Sequence, residues 1–159
     1  MKKTLQVIND MVRDGIINDY AIGGSIGAMF YTEAINTKDL DIFVYPQVLT
    51  SGLVHLNHIY QYLGKKGYKM KGQFFIIDGV PVDFVIAGDE LVDEAIKNYI
   101  LKSYDHLRVR VMSPEYLIAI ALKVRRPQDM RKADMLLMEA PLDRNLLNKI
   151  LEKHNIKYD

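Results

Sequence analysis

The sequence predicts an α+β fold, in which a small mixed sheet of about four or five strands is flanked by helices and followed by a short helical lobe. Helical and strand patterns alternate over the first 64 residues, and an Asp-Gly turn at 78–79 joins two β-rich runs. From residue 113 onward only helical patterns occur. At 159 residues without a linker-like segment, the chain is predicted to be one domain, with an α/β core over about 1–112 and the helical lobe over 113–159.

The elements of the amino-terminal half follow from apolar spacing and from the residues that interrupt it. They are a helix over 2–14, a strand over 19–23, a helix over 26–34, a strand over 39–45 that Pro46 ends, and an amphipathic helix carrying Leu53, Leu56, Ile59, Tyr60 and Leu63 that Gly64 and Gly67 end. Ser25 is predicted to cap the helix that follows the glycine pair.

The second half is predicted from turn and cap signals. It contains a hairpin of 73–77 and 80–86, a helix over 89–98 capped by Asp89, a strand over 107–111, a helix opened by Ser113-Pro114 that runs to Lys123–Arg126, a helix from Pro127 through Leu137, and a last helix over Asp143–Lys153. Because the run Tyr116–Leu122 is apolar on every face, its helix is predicted to be buried.

Composition restricts the class of protein. Hydrophobic residues make up 49% and charged residues 26%, as in globular proteins, and a net charge of +1 gives no overall field for DNA or an anionic membrane. Cysteine is absent, which excludes disulfides and thiolate metal sites and favours a cytoplasmic location. No membrane association is expected, since the longest uncharged apolar run, Tyr116–Leu122, is too short to span a bilayer, and Asn9 and Asp10 interrupt any signal-peptide core.

The candidate site lies between Ala21 and Val44. Gly23-Gly24-Ser25 predicts a tight turn into a helix amino terminus, where an anion such as phosphate can bind. Alternate strand residues lie on one face about 6.6 Å apart, so Asp39 and Asp41 are predicted to direct two carboxylates the same way. Carboxylates together with substrate phosphates are the usual ligands of Mg²⁺. The pattern therefore predicts a site for a nucleoside triphosphate (NTP) with Mg²⁺.

Gly23-Gly24-Ser25, thirteen residues and then Asp39-Leu40-Asp41 resemble the signature of the DNA polymerase beta-like nucleotidyltransferase superfamily. The carboxy-terminal pattern resembles its abortive-infection-type toxins and antibiotic-modifying enzymes. That pattern consists of Ser113-Pro114-Glu115-Tyr116-Leu117, Lys123, Arg126, Asp129 and Asp134. The resemblance implies Mg²⁺-dependent transfer of a nucleoside monophosphate from an NTP, with two metal ions (Mn²⁺ as an alternative), to a hydroxyl or phosphate acceptor on a small molecule, protein or RNA. It also implies a toxin–antitoxin or resistance context and a cognate protein partner.

The resemblance implies a third acid, and Asp83 is the candidate. A carboxylate within the apolar strand Val82–Phe84 is unfavourable unless it is paired or has a function. The alternative is an ordinary satisfied Asp in the core or at the sheet edge, near a loop. Asp39, Asp41 and Asp83 are thus the expected catalytic and metal-binding residues.

The expected nucleotide-binding residues are Gly23, Gly24 and Ser25, together with Lys123 and Arg126. The resemblance places a lysine near the nucleotide phosphates, and that role is carried over to Lys123. For Lys123 and Arg126 the alternative is a solvated helix end favoured by the helix dipole. Asp129 is expected to cap its helix or to pair with Arg126.

Two functions of other classes stay open. The first is a catalytically silent nucleotide-binding or antitoxin-like module. The second is an RNA-binding protein that uses Arg108, Arg110 and the basic segment Lys123–Lys132, although a net charge of +1 does not favour it. His55 and His58, three residues apart on a predicted helix, are expected to be surface residues rather than metal ligands.

Overall fold

A computed structural model describes residues 1–33 and 35–158. The elements in chain order are α1 (Lys2–Arg13), β1 (Tyr20–Gly23), α2 (Gly24–Met29), β2 (Leu40–Val44), β3 (Gln47–Val48), β4 (Val54–His55), α3 (Asn57–Lys65), β5 (Lys69–Lys71), β6 (Phe74–Ile77), β7 (Val80–Ile86), α4 (Glu90–Lys97), β8 (Ile100–Tyr104), β9 (Leu107–Val111), α5 (Pro114–Val124), α6 (Pro127–Glu139) and α7 (Arg144–Lys153). The predicted α+β class is confirmed. Within these described ranges, no helix has the length and apolar character of a membrane span.

The main sheet is mixed, as predicted, but it has seven strands rather than four or five. Their order is β5-β6-β7-β2-β1-β9-β8, with β2–β7 and β1–β9 parallel and the other pairs antiparallel. The two edge strands, β5 and β8, were not predicted. Their residues are almost all exposed, and β5 has only three residues, so neither strand shows the longer alternation of apolar and polar residues that marks a half-buried strand.

Two hydrophobic clusters cover the two faces of the sheet. On one face α1 and α3 pack against alternate strand residues such as Leu40, Ile42 and Val82. On the other face Ala21 of β1 packs with residues of α2, α4 and the carboxy-terminal helices α5–α7. Because side chains alternate along a strand, Asp41 and Phe43 lie on this second face.

Several predicted boundaries differ from the structure. Gly23 precedes α2 and Ser25 lies in its first turn, so Ser25 is not the helix cap; α2 ends at Met29, and residue 34 of the predicted helix lies outside the described residues. Helix α3 begins at Asn57, because Leu53 and Val54 are exposed and residues 54–55 form β4. Gly64 lies within α3, and the chain turns at Gly67 with φ +90°.

The predicted caps of two helices are confirmed. The side chains of Asp89 and Ser113 accept hydrogen bonds from backbone N–H groups in the first turns of α4 and α5. Asp143, predicted as the first residue of the last helix, instead caps α7 by accepting from the Leu146 N–H. The Asp78-Gly79 hairpin is also confirmed, with both residues at positive φ (52° and 83°), as a type I′ turn requires.

Candidate active site

The strand register brings two of the three predicted acids side by side. Asp41 on β2 is the direct partner of Asp83 on the parallel strand β7, and Gly23 at the end of β1 is its partner on the other side. Adjacent strands lie about 4.8 Å apart, so the two carboxylates leave the same face of the sheet as close neighbours. Asp39 lies one residue before β2 and is exposed.

Gly24 allows the carboxylate of Asp41 to lie directly against the backbone. Its φ is +59°, and a Cβ atom at this position would lie 1.9 Å from Asp41 Oδ2. A side chain at Gly23 would instead meet the Phe43 ring at 2.5 Å. The two glycines therefore allow two close contacts with the backbone: the Asp41 carboxylate lies against Gly24, and the Phe43 ring lies against Gly23.

Burial and charge act together on Asp41. Burial raises the pKa of Asp41, the neighbouring Asp83 raises it further and Asp39 adds to this, so that the pKa reaches about 6. The positive charges of Lys132 and Arg126 act in the opposite direction. The ionised form of Asp41 is therefore energetically unfavourable in the folded protein, and such a perturbed acid is a candidate functional residue.

These residues line one cavity of about 700 Å³ between the second face of the sheet and the helices α4–α6. Such a volume is within the range of ligand sites in proteins. Of the predicted site residues, all but Gly23 line it. They are Gly24, Ser25, Asp39, Asp41, Asp83, Lys123 and Arg126.

The cavity cations are each held by a carboxylate. Lys123 Nζ lies 2.9 Å from Oδ2 of Asp89, the residue that caps α4. On α6, the buried Asp129 accepts from Arg126 Nε at 2.7 Å and lies 3.5 Å from Lys132 Nζ. Burial raises the pKa of Asp129, but the hydrogen bond from Arg126 and the charge of Lys132 outweigh it and lower the pKa overall.

Lys132, Gln73 and Asp89 are among the cavity residues that the sequence reasoning did not place in the site. Lys132, whose side chain is 13% exposed, lies near enough to Asp41 to lower its pKa. Gln73 donates a hydrogen bond from Nε2 to Asp83 Oδ2 at 2.9 Å, and Asp89 holds Lys123. The spacing of Asp129 and Lys132, three residues apart on one helix, could have indicated their pairing; no sequence signal joins Gln73 to Asp83.

The acids fit a divalent cation as a pair. Within residues 1–33 and 35–158, no three acidic or histidine side chains are grouped closely enough to hold a metal ion as they stand. Asp41 and Asp83 nevertheless supply adjacent carboxylates, and a cation between them would offset the repulsion that raises the pKa of Asp41. Asp39 is near enough to contribute to that same repulsion.

The remaining candidates lie outside the cavity. His55 lies on β4 rather than on a helix, with its ring 6.5 Å from that of His58. Arg110 of β9 packs over the rings of Tyr20 and Tyr99 and pairs with Asp19 at 3.4 Å, so it ties β9 to the start of β1. Because Arg110 already interacts with side chains of its own chain, it is less suited to the basic RNA-binding face that the sequence suggested.

Comparison with known proteins identifies the fold. An antigenic nucleotidyltransferase-like protein from Paracoccidioides brasiliensis superposes with a TM-score of 0.60 at 16% identity, over 94% of this chain and 84% of that one. The antibiotic-resistance factor ANT(2'')-Ia superposes with a TM-score of 0.54 at 12% identity, over 96% and 89%. No protein-family model and no curated protein matches the sequence. The chain therefore has the fold of nucleotidyltransferase-like proteins, which is the fold that its Gly-Gly-Ser and Asp-Leu-Asp motifs predicted.

Proposed function

We propose that this chain is a metal-dependent nucleotidyltransferase, which moves a nucleoside monophosphate from an NTP to a hydroxyl or phosphate acceptor. The observation that carries the proposal is the direct pairing of Asp41 with Asp83 against Gly24 in a cavity that also contains three cationic side chains. Negative and positive groups on opposite walls of one cavity suit a ligand that brings phosphates and a divalent cation together.

Asp41 and Asp83, with Asp39, would hold Mg²⁺ or Mn²⁺, which when bound would supply positive charge to the reacting phosphates. In the reaction an acceptor oxygen bonds to the α-phosphorus, the bond from that phosphorus to the bridging oxygen breaks, and pyrophosphate leaves. Asp83, whose Oδ2 accepts a hydrogen bond from Gln73, would also accept the proton of an acceptor hydroxyl.

The cationic side chains of the cavity, Lys123, Arg126 and Lys132, would bind the phosphates. Arg126 and Lys132 are fixed by Asp129 and lie near enough to Asp41 to affect its pKa. Lys123 reaches the cavity from the last turn of α5, and phosphate would compete with Asp89 for its ammonium group. Gly24 and Ser25 also line the cavity, at the turn where the Asp41 carboxylate lies against the Gly24 backbone.

The test is transfer from each α-labelled NTP in the presence of Mg²⁺ and a cell extract, which supplies small-molecule, protein and RNA acceptors together. We expect one class of molecule to become labelled by the wild-type protein and none by Asp41→Asn. Asp78→Asn is the matched control, because Asp78 lies in the β6–β7 turn at φ 52°, a conformation that asparagine also adopts. Undiminished labelling by a folded Asp41→Asn protein would refute the proposed role of the acids.

A silent nucleotide-binding module is the second candidate, and one observation favours it. The acids are not grouped as a finished metal site in the described residues, and both Lys123 and Arg126 are paired with carboxylates. This candidate predicts Mg²⁺-dependent NTP binding without labelling of any extract component. A cognate protein partner that completes the site would appear in the same experiment as labelling that requires the extract's protein fraction.

A further inference from the structure

The turn between β5 and β6 reaches over the sheet edge to one of the proposed catalytic acids. Gly72, at φ +63°, makes the turn possible, and Gln73 follows it. The Gln73 carboxamide donates to Asp83 Oδ2 at 2.9 Å, so the turn reaches a residue in the middle of β7. Gln73 also lines the cavity, beside Phe74. The exposed turn of the β5–β6 hairpin thus contributes one side chain to the site.

The chemistry of the contact is specific. The carboxylate of an aspartate turns easily about its terminal torsion, because that torsion has only broad energy minima. A hydrogen bond from an amide N–H fixes the position of one oxygen. It does so without adding charge, whereas a lysine or arginine at this place would compete with a cation. The hydrogen bond to Oδ2 therefore sets how the Asp83 carboxylate is turned relative to Asp41, its direct partner on β2.

We propose that Gln73 is a positioning residue for Asp83: its hydrogen bond orients the carboxylate that, together with Asp41, would hold the divalent cation. The inference rests on the proposed function. Hydrogen-bond partners that orient a metal ligand are worth about 10–100-fold in metal affinity or activity. We therefore expect removal of the Gln73 N–H donor to weaken metal binding about 10–100-fold.

Mn²⁺ binding to the full-length protein tests the inference without relying on turnover. Gln73→Met keeps the length of the side chain and removes the donor, and because Gln73 is exposed the change leaves the core intact. We expect the Mn²⁺ dissociation constant, measured by electron paramagnetic resonance of the free ion, to rise about 10–100-fold. Gln61→Met, an exposed glutamine on α3 outside the cavity, is the matched control and should leave it unchanged.

A double-mutant cycle separates positioning from a general effect on the hairpin. In the Asp83→Asn background, Gln73→Met should cause no further loss of Mn²⁺ affinity, because the residue it orients is already changed. Equal losses in both backgrounds, or an unchanged dissociation constant in Gln73→Met, would overturn the inference while leaving the proposed function standing. Failure of the wild-type protein to bind Mn²⁺ would overturn both.

Discussion

Replacing Gly24 by alanine should destabilise the protein through two separable effects. The first is the left-handed backbone, since Gly24 has φ +59° and an alanine in that region costs about 1–2 kcal/mol. The second is overlap, because the new Cβ would lie 1.9 Å from Asp41 Oδ2 and 2.9 Å from its Cγ. Relieving such overpacking costs about 1–3 kcal/mol. Together they predict a loss of about 2–5 kcal/mol in the free energy of unfolding.

Urea unfolding of Gly24→Ala and of a matched variant isolates the overlap. Gly15 has φ +72° with nothing within 4 Å of its virtual Cβ, so Gly15→Ala carries only the backbone cost. The excess loss in Gly24→Ala measures the contact with Asp41, and the double variant Gly24→Ala/Asp41→Ala should recover it. Equal losses for Gly24→Ala and Gly15→Ala would refute the close approach of the acid to the glycine turn.

Three further predictions concern the buried charges. Because burial and Asp83 raise the pKa of folded Asp41 to about 6, against an ordinary value of 3.8, wild-type stability should fall as the pH rises through this interval. Asp41→Asn should therefore be more stable than wild type at pH 8, by on the order of 2 kcal/mol, and equal to it below pH 4 in a pH series of urea unfolding. Mg²⁺ should raise the melting temperature of wild type but not of Asp83→Asn in differential scanning fluorimetry; an equal rise in both would place the ion elsewhere. The buried Glu115 Oε1 accepts a hydrogen bond from the Asp143 backbone N–H at 3.0 Å. In urea unfolding, Glu115→Ala should therefore lose about 1–3 kcal/mol of stability, and Glu115→Gln, which keeps an acceptor oxygen, should lose less. Equal losses in the two variants would show that this hydrogen bond does not stabilise the fold.

The centre of the sheet was predictable because its residues repeat with the period of a buried strand. In β2, Leu40, Ile42 and Val44 are all fully buried, and the acid between the first two is consequently on the opposite face. The hairpin was predictable for a local reason as well, since Asp78-Gly79 suits a turn with two positive φ values.

The elements that the sequence did not predict lack a local signal. Strand β5, Lys69–Lys71, is exposed throughout and exists because it pairs with β6. The start of α3 was misplaced because Leu53 has the spacing of a helical apolar residue and yet is 67% exposed in the loop before the helix. The contacts of the cavity cations are set by helix packing, and the ion pair of Lys123 with Asp89 spans 34 positions of sequence.

The same register that builds the core fixes the candidate site. Leu40 pairs with Val82 and both are fully buried, so the next pair along these parallel strands, Asp41 with Asp83, must leave on the face that carries the cavity. A slip of one residue would turn the acids toward α1 and α3 and move the apolar side chains into the cavity. Hydrophobic burial therefore specifies the juxtaposition of two carboxylates that repel each other. Burial and, after it, this repulsion raise the pKa of Asp41, and a bound cation would relieve the repulsion.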